Sequence, residues 1–269
     1  RIISEGEETI QLAIQSRQSS ISIQIWKEYT DQIEISIINP SGVRVGPVPE
    51  ILGPHRFRIG QTEILLYYGE PSPYSISQEI YIDLLPVESY LTEGIWRIVL
   101  SAGKIVTGQY EMWLPSDNVL NRGTGFLFPT DATTLTIPSS ASRAISVGAY
   151  DARTFAYADF SGRGFTRLTN MVKPDLVAPG VEVMTTTVGG GYAAFTGTSF
   201  ATPFVTGSAA LLMEWGIVRG NDPYLYGEKV KAYLRKGAKQ LAGYERWPNA
   251  LLGYGALCVR DSLPGLGSS

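Results

Sequence analysis

The chain has 269 residues, enough for one or two domains with cores of their own, and its 44% hydrophobic and 17% charged residues place it among globular proteins, not disordered ones. A net charge of −3 with no polybasic run argues against nucleic acid and membrane-surface partners, which call for a basic footprint. The lone cysteine, Cys258, excludes an internal disulfide and reads as a small core residue, and the lone histidine, His55, limits every mechanism that needs an imidazole. The opening RIISEGEETIQL reads as interior sequence and not as a targeting segment, so the compartment stays open.

Residues 8–114 read as all-β. Ile10, Leu12 and Ile14 recur at every second position, as do Ile21, Ile23, Ile25 and then Ile33, Ile35, Ile37, the period of strands with one buried face. Turn formers separate them, as at Asn39-Pro40-Ser41-Gly42. Further strands are predicted at residues 62–68, 79–84, 94–100 and 108–114, and GIWRIVLSAGKIVTGQYEMWLP (residues 94–115) reads as a closing hairpin. Many short, evenly spaced strands suggest a sandwich or jelly roll, with Trp96, Tyr110 and Trp113 as core or edge aromatics. Residues 115–135 are rich in turn formers and read as a connection. Beyond them, residues 144–150 (AISVGAY) and 181–186 read as buried strands, and residues 224–241 carry helical spacing. Strands alternating with helices indicate an α/β arrangement.

The most distinctive stretch is GTSFATPFVTGSAALLMEW, residues 197–215. Gly197 permits a sharp turn, Ser199 opens a helix, and Pro203 is expected within about its first turn, where a missing N–H costs least. The helix is apolar all round, which predicts a central buried helix too short for a comfortable membrane span. A hydroxyl at a helix N-terminus has two readings. Ser199 or Thr198 caps the helix, or Ser199 is a nucleophile whose developing oxyanion is met by the helix dipole and its own N–H.

Gly197, Thr198, Ser199, Ala201, Pro203 and Gly207 match the pattern G-T-S-x-[AS]-x-P-x-x-[AST]-G, and the segment resembles the nucleophile motif of the subtilisin-like serine proteases. SVGAYD (residues 146–151), FSGRG (160–164), KPDLVAPG (173–180) and Gly253-Tyr254-Gly255 follow the order seen in that family, so the resemblance covers about half the chain. Phe204 stands where many members have histidine, a branch difference. The resemblance implies an α/β subtilisin-like C-terminal half (residues 116–269) preceded by an all-β jelly-roll or sandwich module (residues 1–115), the latter similar to an insertion in a bacterial branch that includes spore-germination proteases. It implies Ser199 as nucleophile and oxyanion N–H donor, with Gly197, Thr198 and Pro203 supporting the turn.

The family motifs for the catalytic Asp, the catalytic His and the oxyanion Asn do not occur, and neither His55 nor Asp151, Asp159 or Asp175 matches them; Asp175 reads as a loop residue bonding nearby backbone. The expectation is one portion of a serine endopeptidase, inactive alone, whose partners are a protein or peptide substrate and a missing N-terminal half of the same protease. No cofactor or metal is expected, since no Cys/His grouping or acidic loop stands out. The alternatives are a pseudoprotease or a β-sandwich binding scaffold, and a serine-carboxyl peptidase working without histidine. A Gly-x-Ser-x-Gly esterase is disfavoured because Ala201 stands at the second glycine.

Overall fold

The computed structural model describes residues 3–116, 119–167 and 169–263; residues 117–118 of the predicted connection and 264–269 of the predicted second half lie outside them. The chain divides into two compact units, Arg1–Pro129 and Thr130–Ser269.

In the first unit every described element is a strand: β1 (Glu7–Ile14), β2 (Ile21–Glu28), β3 (Ile33–Ile38), β4 (Arg44–Val48), β5 (Gly53–Ile59), β6 (Thr62–Tyr68), β7 (Ser77–Pro86), β8 (Gly94–Ala102), β9 (Tyr110–Trp113) and β10 (Gly125–Phe126). They form two antiparallel sheets, in the orders β10-β1-β8-β3-β4 and β5-β6-β7-β2-β9. The alternating isoleucines of both sheets meet in one core that includes Leu12, Ile23, Ile35, Ile64 and Ile82, each at 0% exposure, and each contributes about 1.5–3 kcal/mol by leaving water. Trp96 and Tyr110 are buried in this core, and the Trp96 indole N–H is satisfied by the Thr92 carbonyl at 2.9 Å.

The expected closing hairpin is not formed. β8 lies between β1 and β3 in one sheet, whereas β9 pairs with β2 in the other. The connection is redirected by Asp31, whose buried carboxylate accepts from the Val106, Thr107 and Gly108 N–H groups and the Thr107 hydroxyl at 2.5–2.9 Å. Burial pushes the Asp31 carboxyl upward, but these four bonds outweigh it and hold the pKa below the ordinary aspartate value. A depressed folded-state pKa contributes stability above the unfolded value that is lost as pH falls through the folded one. The first unit is therefore expected to lose stability progressively below about pH 4. Urea titrations across that window should show Asp31→Asn flattening the decline; an unchanged slope would contradict the assignment.

The second unit contains β11 (Val147–Asp151), β12 (Ala156–Tyr157), β13 (Leu176–Pro179), β14 (Val183–Thr186), β15 (Tyr192–Phe195), α1 (Thr198–Met213) with a π-helical extension Glu214–Val218, α2 (Glu228–Lys236) and α3 (Val259–Ser262). β11 and β13 pair in parallel, with β12 antiparallel on the other side of β11. β14 is not the expected buried strand: it forms a separate two-stranded hairpin with β15, and Met184 and Tyr192 face solvent.

Helix α1 also departs from expectation. It buries one stripe, Ala201, Val205, Ser208 and Leu212, against a core with Ala149, Leu176 and Ala178, the i, i+4, i+7, i+11 spacing of a single face. Outside that stripe the helix is exposed: Phe204 at 43% and Leu211 at 56% lie beside the exposed Thr202 and Thr206, and Val218 on the extension is at 78%. Apolar residues all round therefore do not mean burial all round here. With its π-helical extension the helix has 21 residues and is long and apolar enough, by length and composition, to cross a membrane, contrary to the expectation of a helix too short for that.

Candidate active site at the start of helix α1

Ser199 is the second residue of α1, and it is exposed. Gly197 precedes the helix with φ 153° and ψ 158°, a conformation essentially restricted to glycine. The Gly197 N–H donates to the Gly180 carbonyl at 2.8 Å, which ties the turn to the end of β13. Gly180 makes this approach possible: a Cβ there would lie 2.6 Å from Ala149 Cβ and 3.1 Å from the Gly197 carbonyl oxygen. The small side chains of Ala149 and Ala201 complete the same close contact, so the helix entrance sits on the sheet with no room for larger residues.

No side chain caps α1. The first N–H groups of a helix lack partners one turn back; the Phe200 N–H is taken by the Gly197 carbonyl at 3.1 Å, and the positive end of the dipole lies beside the Ser199 hydroxyl. Gly197 holds the cap position, and Thr198 and Ser199 are the first two residues inside the helix. Pro203 is the sixth helical residue, one turn later than expected. Its missing N–H takes away the bond that the Ser199 carbonyl would otherwise accept.

The Phe200 ring stacks on Phe195, with centroids 5.2 Å apart and planes at 19°. The pair joins β15 to the first turn of α1. The sequence pattern does not reveal it, because two aromatics five residues apart lie on different elements.

The second unit contains no histidine, and Asp151, Asp175 and Asp222 are engaged with other partners. Asp151 pairs with Arg153 at 2.9 Å, and Asp222 pairs with Lys229 at 2.5 Å and accepts from the Tyr233 hydroxyl at 3.0 Å. Asp175 is not the simple loop residue expected from the sequence. It is fully buried and accepts from the Ser146 N–H at 2.6 Å, Lys173 Nζ at 2.9 Å, and Arg235 Nε at 2.8 Å and Nη2, with Lys231 Nζ at 3.3 Å. His55 lies on β5 in the first unit, where its Nε2 meets the Ile51 carbonyl at 2.8 Å and its ring meets Tyr68 edge to face. Among the described residues no group of three or more His, Cys, Asp or Glu could hold a metal ion.

The site can thus supply a nucleophilic hydroxyl and backbone donors for an oxyanion, but the second unit holds no imidazole to take the proton. Residues 97–255 match the Subtilase family (Peptidase_S8). The chain is 32% identical over 155 residues to the serine protease AprX of Bacillus subtilis, covering 50% of this chain and 33% of that protein. It is 32% identical over 121 residues to subtilisin BL of Lederbergia lenta, covering 45% of this chain and 40% of that one. The solved structure of the Clostridium perfringens CspB protease superposes with a TM-score of 0.89 and 37% identity, covering 96% of this chain and 54% of that one. The chain thus spans well under two thirds of the relatives it matches. Since the family match takes in more than half of the residues and includes the Ser199 turn, the chain belongs to the subtilase family.

Proposed function

We propose that this chain supplies the nucleophile-bearing portion of a serine endopeptidase. The observation that carries the reading is an exposed Ser199 at the uncapped N-terminus of α1, held there by the Gly180–Gly197 contact. In the reaction, Ser199 Oγ attacks the carbonyl carbon of a peptide bond while an imidazole removes its proton. The Ser199 N–H donates to the oxyanion of the tetrahedral intermediate, which collapses to an acyl-enzyme as the imidazolium gives its proton to the departing amine; water, deprotonated by the same imidazole, then cleaves the ester and restores the Ser199 hydroxyl. A single oxyanion donor is worth about 3 kcal/mol. The imidazole, its orienting carboxylate and a second oxyanion donor come from a further portion of the protease outside this chain. The exposed Phe204 and Leu211 of α1 support a partner of that kind. The first unit is read as a jelly-roll brace.

A peptidase assay tests this. The chain alone is expected to give no serine-dependent turnover, whereas a longer polypeptide that contains it gives turnover that falls by about 10⁴-fold or more in Ser199→Ala. Equal turnover of the longer wild type and Ser199→Ala would overturn the reading. It would favour the second one, a non-catalytic scaffold, which draws its support from the missing imidazole in Thr130–Ser269.

A further inference from the structure

Strand β2 carries a charge into the core of the first unit. Ile21, Ile23 and Ile25 face inward, and the next inward position is Lys27, at 0% exposure. Lysine is among the residues least often buried, and a well-packed apolar side chain generally serves a core at least as well as a buried ion pair does. The register sets Lys27 directly opposite Gln78 of β7, which is 1% exposed. Lys27 Nζ donates to Gln78 Oε1 at 2.5 Å, to Glu50 Oε1 at 3.1 Å, and to the Asp31 and Glu28 carbonyls at 2.5 and 3.4 Å. The Gln78 amide nitrogen donates to the Gly69 carbonyl at 3.0 Å, which aims the amide oxygen at the amine. Glu50, between β4 and β5, is held in place by accepting from the Ile33 N–H at 3.0 Å. The Asp31 carboxylate is turned toward residues 106–108, so the acid facing the amine is Glu50. An amine, a primary amide and a carboxylate therefore meet inside the first unit, with Glu50 23 and Gln78 51 residues away from Lys27 in sequence.

That set is the one an amide exchange requires. A C=O bond is about 1.2 Å long, so the Gln78 amide carbon lies within about 3.7 Å of Nζ, close to the reacting distance of about 3–3.5 Å. Burial lowers the Lys27 pKa, and the Glu50 carboxylate opposes that shift without cancelling it. Handing one proton to Glu50 gives the free amine and leaves no unpaired buried charge. We propose that Lys27 and Gln78 become joined by an intramolecular isopeptide bond, with Glu50 as the proton carrier. Nζ attacks the amide carbon, and the Nζ–Cδ bond forms. Glu50 gives its proton to the amide nitrogen, the Cδ–Nε2 bond breaks, and ammonia departs. The extra proton on Nζ returns to Glu50 and leaves with the ammonia as ammonium, so charge balances and nothing is oxidised or reduced. The bond fastens β2 to β7 across a separation of 51 residues, a link that constrains the unfolded chain as a disulfide does. The proposal is independent of the peptidase reading, because no residue of the second unit takes part.

Intact-mass measurement of the denatured full chain, followed by peptide mapping, tests it. The wild type is expected to weigh one ammonia less than its sequence, to resist trypsin at Lys27, and to yield one branched peptide joining the Lys27 and Gln78 segments. Gln78→Met, which keeps much of the packing volume and removes the amide, should have its full sequence mass. Glu50→Gln should slow bond formation, followed after synthesis of the chain, by about 10²–10⁴-fold, the usual worth of a positioned general acid–base group. Thermal melts show whether each variant has folded, and the wild-type mass and peptide map decide the case where one has not. The proposal is overturned by a wild type that keeps its full sequence mass after prolonged incubation, by an ammonia loss that maps elsewhere, or by a folded Glu50→Gln that cross-links as fast as the wild type.

Discussion

Asp175→Asn is expected to destabilise the second unit by about 3–5 kcal/mol, the cost of removing one partner from a buried ion pair. The native carboxylate is fully buried and sits among three cations, Lys173, Lys231 and Arg235. Lys173 is itself fully buried, and its other acceptor is the Ala144 carbonyl at 2.7 Å. An asparagine keeps the shape but leaves three cations without their counter-charge. It also exchanges an acceptor of the Ser146 N–H or the Arg235 guanidinium for an N–H₂ donor. Those contacts hold together the start of β11, the start of β13 and helix α2, which are distant in sequence, and Arg235 additionally lies 4.7 Å above the Tyr254 ring. At about 2–4 °C per kcal/mol for a unit of this size, the melting temperature should drop by roughly 10 °C. Urea denaturation of wild type and variant measures it; a loss under about 1 kcal/mol would show that the network adds little beyond packing. Replacing Lys173 and Asp175 together by Met and Leu should cost less than Asp175→Asn alone, because no buried charge is then left behind at that pair.

Gly253→Ala is the second large effect expected. Gly253 has φ 58°, and a Cβ there would fall 2.1 Å from the Pro174 carbonyl oxygen and 2.7 Å from the Asp175 carbonyl carbon. Both contacts are backbone, so no side chain can swing away. The left-handed conformation adds about 1–2 kcal/mol to an overpacking cost of about 1–3 kcal/mol. The same loop is fixed from the other side, since the Tyr254 N–H donates to the Asp175 carbonyl at 3.0 Å and the Val177 N–H donates to the Gly255 carbonyl at 2.9 Å. A shift here passes along β13 to Gly180, on which the Ser199 turn rests. Chemical denaturation should therefore show a loss of about 2–5 kcal/mol, whereas Gly243→Ala, where a Cβ meets nothing within 4 Å, bears only its own positive-φ cost. Equal losses in the two variants would contradict the clash.

These two sites also show which parts of the fold could be read in the residues and which could not. β6 lies where its alternation predicts, because Thr62, Ile64, Leu66 and Tyr68 face one core. β4 and β5 escape notice because Pro47 and Pro54 lie within them and their outward positions are mostly exposed. The β8–β9 connection reads as a hairpin because neighbouring strands usually pair; only Asp31, about seventy-five residues away in sequence, turns it into a crossing between sheets. The Ser199 turn was legible because a glycine-only conformation, an exposed hydroxyl and an apolar helix leave a compact local signature. The carboxylate network was not: Asp175 and Arg235 are 60 residues apart, and nothing local marks them as partners. The helix pattern told how apolar α1 is but not which side meets the sheet, since only the partner elements decide that.

On the proposed function, Ser199 is a peptidase nucleophile whose base lies outside this chain. Labelling with a fluorophosphonate, followed by peptide mapping, tests it most directly, because the reagent forms a phosphonyl ester only with an activated serine. Ser199 is expected to be modified in a longer polypeptide that contains this chain and to stay unmodified in residues 1–269 alone, and His55→Ala should change neither result. Rapid modification of Ser199 in the chain by itself, or modification of a different serine in the longer protein, would contradict it.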